Sequence, residues 1–278
     1  MTGHLDAHVH LWDRSTDPQP WIDPATMAAI DRDFAPADLA SMLDATGMAA
    51  AVVVQSTNSA DETRRLLAHE SPRIAGVVGW LDLSGDPRPQ LDRLDPAARR
   101  RLVGVRHLVH LDPDPDWLGR PAVRAGLGRL AGCGLSFDLV VRWRQLPLSA
   151  TVAQALPEVR FVVDHLGGIA EADDLAGWAA GLQALARLPN VWAKISGLAG
   201  LIGPPSTGSE GARRAVEVAL EAFGPDRLMY GSDWPVAELG AGAPAWRAAV
   251  DELTGGLSGA EREAILAGTA SAFYRVTP

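Results

Sequence analysis

The stretch Leu5–Asp6–Ala7–His8–Val9–His10–Leu11–Trp12 decides how this 278-residue chain folds. It begins as a short apolar run of the kind a buried strand needs, and we read the first strand over residues 4–10. In a doubly wound open sheet, the first strand usually runs into a glycine-rich loop that cradles phosphate. Here the strand runs into two histidines and a tryptophan instead. The closed alternative is a (β/α)8 barrel, whose strand ends carry its chemistry.

The rest of the chain alternates in the same way. Further strands are expected at 49–55, 74–81, 103–107, 135–141, 160–165, 191–195 and 228–231, all short and apolar on both faces. Helical periods fall at 36–46, 61–69, 91–101, 120–131, 149–156, 175–188, 211–223, 243–253 and 258–273. The first places Leu39, Met42 and Leu43 on one face and stops at Gly47. Ser59 is a cap for the second, and Pro96 interrupts the third. Eight strand–helix units make a single barrel domain over residues 1–278 the expected organisation, since such barrels run to roughly 250 residues. There is no internal repeat or linker. One connection, residues 11–35, is long and holds Pro18, Pro20, Trp21 and Pro24. Such a segment in a compact domain is expected to be a lid or binding loop.

Composition narrows the function. The chain is 47% hydrophobic and 21% charged, which suits a packed core. Its net charge of −9 argues against nucleic-acid and membrane-surface partners. No apolar run reaches the roughly 18 residues of a membrane span. The first residues, Met1–Thr2–Gly3–His4, lack a secretory pattern, so the cytoplasm is the expected location. Cys133 is the one cysteine, which excludes an internal disulfide and a cysteine-based metal cluster. Lys194 is the one lysine beside 24 arginines. Arginine-rich coding accounts for the rarity; a position that needs a compact ammonium would account for the survivor.

Ionisable residues gather where strands end: His8 and His10, Arg106 and His107, Asp138, Asp164 and His165, Lys194, and Asp233. A parallel barrel opens all these ends on one face. His8 and His10 are two apart and so share a face, where they can chelate a divalent ion or hold a carbonyl oxygen. A pair satisfied by nearby backbone is the plainer alternative. Asp233 lies in Tyr230–Gly231–Ser232–Asp233–Trp234–Pro235 and is either a turn aspartate or a base or ligand. Alternation sends Asp164 and His165 to opposite faces, and we expect His165 to face the barrel. Arg106 suits a carboxylate or hydroxyl cluster, or braces a barrel acid. His110 is expected in a loop, His69 on a helix surface, and Asp138 in a structural role. Of Trp12, Trp21, Trp80, Trp192 and Trp234, one or two are expected to stack on a sugar-like ring.

Taken together, these residues resemble the amidohydrolase superfamily: His8-x-His10 after strand one, His165 after strand six and Asp233 after strand eight. The match narrows to the amidohydrolase-2 branch that includes sugar-lactone hydrolases. It rests on 5–12, on Gly104–Val105–Arg106–His107, on Asp164–His165–Leu166–Gly167, on Lys194–Ile195–Ser196–Gly197–Leu198, on Tyr230 to Pro235, and on an ending similar from Gly268 to Arg275. The resemblance implies hydrolysis of a sugar-acid lactone of the L-fuconolactone or L-rhamnonolactone kind. Binuclear members carry a bridging lysine or glutamate on strand four and a histidine on strand five. Here those strands offer Arg106–His107 and Asp138.

The resemblance therefore implies at most one divalent metal, zinc by preference, held by His8, His10, His165 and Asp233. The branch works with one metal or none, which leaves the cofactor open. Asp233 is expected as general base, with His8, His10 and His165 as its partners in catalysis. Lys194, Arg106, His107, Trp12 and Trp234 are expected around the substrate. The rival reading is a metal-dependent non-oxidative decarboxylase of the same superfamily; a second is a barrel that binds without catalysis.

Overall fold

Residues 3–202 and 210–278 are described by a computed structural model; Met1 and Thr2 of the N-terminal stretch read above lie outside them. Eight parallel strands follow one another in chain order: β1 (Leu5–Val9), β2 (Ala50–Val54), β3 (Ile74–Gly79), β4 (Leu102–Leu108), β5 (Ser136–Val140), β6 (Phe161–Val163), β7 (Val191–Ile195) and β8 (Leu228–Tyr230). The ring closes where Val9 bridges Trp234. There Asp233 donates its N–H to His8 O (2.9 Å), and His10 donates its N–H to Trp234 O (2.7 Å). The fold is the expected (β/α)8 barrel.

The helices show why local pattern was a good guide and where it stopped. Pro36–Thr46 and Ala243–Leu253 have the expected bounds. Gly47 takes φ 69°, a conformation that a Cβ would strain, and ends the first of them. The helix expected over 91–101 is two pieces, Arg88–Leu91 and Pro96–Arg101. Pro96 starts the second, where its missing N–H costs nothing, and the Asp95 carboxylate caps it. The final helical stretch carries a π turn at Ala264–Gly268 between Gly259–Glu263 and Thr269–Tyr274.

The larger core lies between the strands and the helices around them. A second cluster joins Leu5, Ala7, Val52, Val54, Val78, Val162 and Met229 to Phe273 and Tyr274 of the chain end. Leu5 begins β1 and Val54 ends β2, so this cluster runs along the strands rather than capping one end. Residues 11–35 are anchored inward by a few apolar side chains, while much of the loop stays exposed. Trp12, Ile22, Ile30 and Phe34 are buried, and Trp12 pairs with Phe34 across an antiparallel bridge. No helix among the described residues is long and apolar enough to cross a membrane.

Candidate active site

The strand C-termini surround a cavity of about 380 Å³. His10, Arg106, His165 and Asp233 line it, with Ser56 and Gly197 between them. Trp21 and Met27 come from the long first loop; Leu108, His110, Leu111, Val140, Val141, Arg142 and Glu171 form another side.

Four imidazole and carboxylate atoms meet at its base. His8 Nε2 and His10 Nε2 are 3.2 Å apart. Asp233 Oδ1 lies 3.6 Å from His8 Nε2, 3.3 Å from His10 Nε2 and 3.9 Å from His165 Nε2. A tetrahedral zinc site with bonds of about 2.1 Å has ligand–ligand edges of about 3.4 Å, so this donor set fits one such ion. His10 Nδ1 donates to Val54 O (2.8 Å), which leaves Nε2 with its lone pair free. At His8 Nδ1 both a donor, Lys194 Nζ (3.1 Å), and an acceptor, Asp164 Oδ1 (3.4 Å), are present. The tautomer of His8 therefore follows whatever occupies Nε2.

Two of these residues hold backbone angles that side chains rarely adopt: φ is 60° at Asp233 and 55° at His165. Such a conformation costs on the order of 1–3 kcal/mol and persists only where packing imposes it. Close packing does so here. A Cβ added at Gly231 would stand 2.7 Å from His8 Cβ, and one at Gly197 would stand 2.5 Å from His165 Nδ1. Ser196 Oγ lies 2.9 Å from that same Nδ1. Burial alone would raise the pKa of Asp233, but His165, His10 and His8 reverse this and hold it far below the usual range. Burial lowers the His165 pKa, and burial with the Lys194 charge lowers that of His8 strongly. The centre thus favours an ionised Asp233 beside uncharged His8 and His165 rings.

Beneath it lies an ionic layer. Lys194 Nζ stands 2.6 Å from Asp138 Oδ2 and 3.0 Å from Asp164 Oδ1. Arg106 Nη1 donates to Asp164 Oδ2 (3.0 Å) and lies 3.2 Å from His8 Nε2. Arg106 Nη2 donates to Gln55 O, and Tyr274 Oη donates to Asp138 Oδ2 (2.7 Å). Burial, then the Asp164 charge, raises Asp138 against the opposing pull of Lys194 and Tyr274; at Asp164, Lys194, the His8 ring and Arg106 overcome burial and hold the pKa low.

Several sequence expectations change on this geometry. Lys194 is fully buried and does not reach the cavity, because Asp138 and Asp164 hold its ammonium in the layer below. Asp164 does not face away. β6 ends at Val163, and the left-handed turn at His165 ends alternation, so both side chains come inside. His107 sits opposite Arg106 on β4 and points out of the barrel. Its Nε2 is 2.8 Å from Asp112 Oδ2, Trp80 Nε1 donates to its Nδ1 (3.1 Å), and its ring stacks on Trp117 at 3.8 Å. Trp12 donates to Arg32 O and packs on Phe34, as does Trp234; neither lines the cavity, whereas Trp21 does. Ser56, His110, Arg142 and Glu171 also line it and were not singled out for a site, since each stands in a loop without a motif of its own.

Against known proteins, the amidohydrolase family model matches residues 5–276, and the chain belongs to that family. The chain is 33% identical to an L-fucono-1,5-lactonase of Burkholderia ambifaria, over 99% of this chain and 97% of that protein. It is 35% identical to an L-fucono-1,5-lactonase of Burkholderia multivorans, over 97% and 95%. Its fold superimposes with a TM-score of 0.90 on the crystal structure of an amidohydrolase from Burkholderia multivorans with bound zinc. The two are 34% identical over 98% of this chain and 99% of the other.

Proposed function

We propose that this chain hydrolyses the ring ester of a small sugar-acid lactone, with Asp233 as the base that takes the proton from the attacking water. Full-length likeness to two L-fucono-1,5-lactonases supports the substrate class. One observation carries the role of Asp233. Among the described residues, the cavity is lined by two carboxylates, Asp233 and Glu171, and Glu171 is paired with Arg142 at 3.3 Å. Asp138 and Asp164 are buried beneath and engaged by Lys194 and Arg106.

Water attacks the lactone carbonyl carbon while Asp233 accepts its proton. Oδ1 faces the histidines, which leaves Oδ2 for that proton. The carbonyl oxygen gains negative charge, and Arg106 and His165 on the cavity wall supply positive charge and a ring N–H toward it. When the ring C–O bond breaks, the departing oxygen takes up the proton as a hydroxyl, and the product is a hydroxy-acid anion. His8, His10, His165 and Asp233 would hold a zinc ion, which when bound would act as a Lewis acid toward the carbonyl or the water.

A panel of aldonolactones, followed by acid release with and without chelator and alongside metal analysis, tests the proposal. We expect turnover of sugar lactones and no more than about one ion per chain, the limit of one tetrahedral donor set. No lactone turnover, with carbon dioxide released from aromatic acids, would move the chain to the decarboxylase reading.

A further inference from the structure

On the β4–β5 side the cavity wall is largely apolar, with Leu108, Leu111, Val140 and Val141, and its charged members Arg142 and Glu171 are paired with each other at 3.3 Å. His110 interrupts it from the 3₁₀ turn Val109–Leu111. Its backbone is pinned, because Arg142 Nε donates to His110 O at 2.9 Å. Its ring has no such partner. Nδ1 is closed off from solvent without a hydrogen bond, and among the described residues Nε2 makes none either. His110 lines the cavity and its Nδ1 is closed off, so a ligand there would meet the ring at Nε2. A polar atom placed in an apolar wall with no protein partner calls for a partner from outside the protein.

We infer that His110 is a specificity residue, whose Nε2 hydrogen-bonds a hydroxyl of the bound lactone and so favours hydroxylated rings over bare ones. This rests on the lactonase reading above. Burial, with Arg106 and His165 nearby, lowers the His110 pKa to about 4. The ring is then uncharged at neutral pH, which suits a hydroxyl better than a carboxylate. A neutral imidazole can donate or accept at Nε2, and a hydroxyl answers either.

The test compares L-fucono-1,5-lactone with δ-valerolactone, the same six-membered ring ester without hydroxyls. The wild-type protein should prefer the sugar lactone. His110→Leu should cost roughly tenfold to a hundredfold in kcat/KM on that substrate, mainly through KM, and less than about threefold on valerolactone, the loss of one desolvated hydrogen bond. His110→Gln, whose amide nitrogen falls near the place of Nε2, should recover most of the loss. His110→Ala, read by the same ratio, stands in if the leucine variant fails to fold. Equal losses on both substrates, no loss on the sugar lactone, or no recovery by glutamine overturns the inference while leaving the lactonase reading in place. A wild-type protein that opens no lactone sinks the reading and the inference together.

Discussion

Replacing Lys194 separates a buried brace from a substrate contact. Its ammonium meets three partners within 3.1 Å, namely Asp138, Asp164 and His8, and all these side chains are fully buried. Lys194→Met leaves two buried carboxylates facing one guanidinium. Removing one partner of a buried ion pair costs about 3–5 kcal/mol. At roughly 2–4 °C per kcal/mol for a chain near this size, the unfolding midpoint should fall by roughly 6–20 °C. Lys194→Arg keeps the charge but forces a planar, bulkier group into a closed site, an overpacking cost of about 1–3 kcal/mol. Its midpoint should fall by roughly 2–12 °C on the same scale. The assay is thermal unfolding of both variants, paired with kcat/KM on a sugar lactone. Activity should drop too, because Lys194 helps to position His8. A collapse of kcat/KM in Lys194→Arg with an unmoved midpoint would refute this and return the lysine to the substrate.

Three further outcomes are expected. Asp233→Asn should lower kcat by roughly 10²–10⁴-fold with KM changed less, the usual worth of a positioned base; a similarly metallated variant within about threefold of wild type would exclude it as the base. Gly197→Ala puts a Cβ 2.5 Å from His165 Nδ1 at a φ of 67°, so it should reduce turnover by displacing His165; a fully active, equally stable variant would show that His165 is free to move. Asp6, buried and accepting N–H groups from His8 (3.1 Å) and Ser232 (3.0 Å), has its pKa raised by burial from 3.8 to about 6. A raised acid stabilises the fold below its unfolded pKa and loses that contribution as pH climbs through the folded one. Between pH 4 and 7 the stability of wild type relative to Asp6→Asn should therefore fall by about 2 kcal/mol, and a flat difference would mean that Asp6 titrates normally.

Much of this protein is legible in its residue order. The strands follow from apolar runs, and the helices from period and from stops such as Gly47, because both are set by neighbours a few residues apart. His8 and His10 share a face for the same reason, and the order of motifs along the chain is that of its family. The tertiary structure decided where ionisable groups stand when alternation no longer holds. Asp164 turned inward because the strand ends at Val163 and His165 takes a left-handed turn, an outcome imposed by packing around Ser196 and Gly197. Lys194 was drawn into the layer beneath the cavity by carboxylates 56 and 30 residues away, a pairing that no local pattern encodes. His107 and Trp12 found partners outside the cavity, while His110 and Trp21 came to line it. Residue order sets which side chains a strand can offer; burial and long-range ion pairing settle which of them remain free for a ligand.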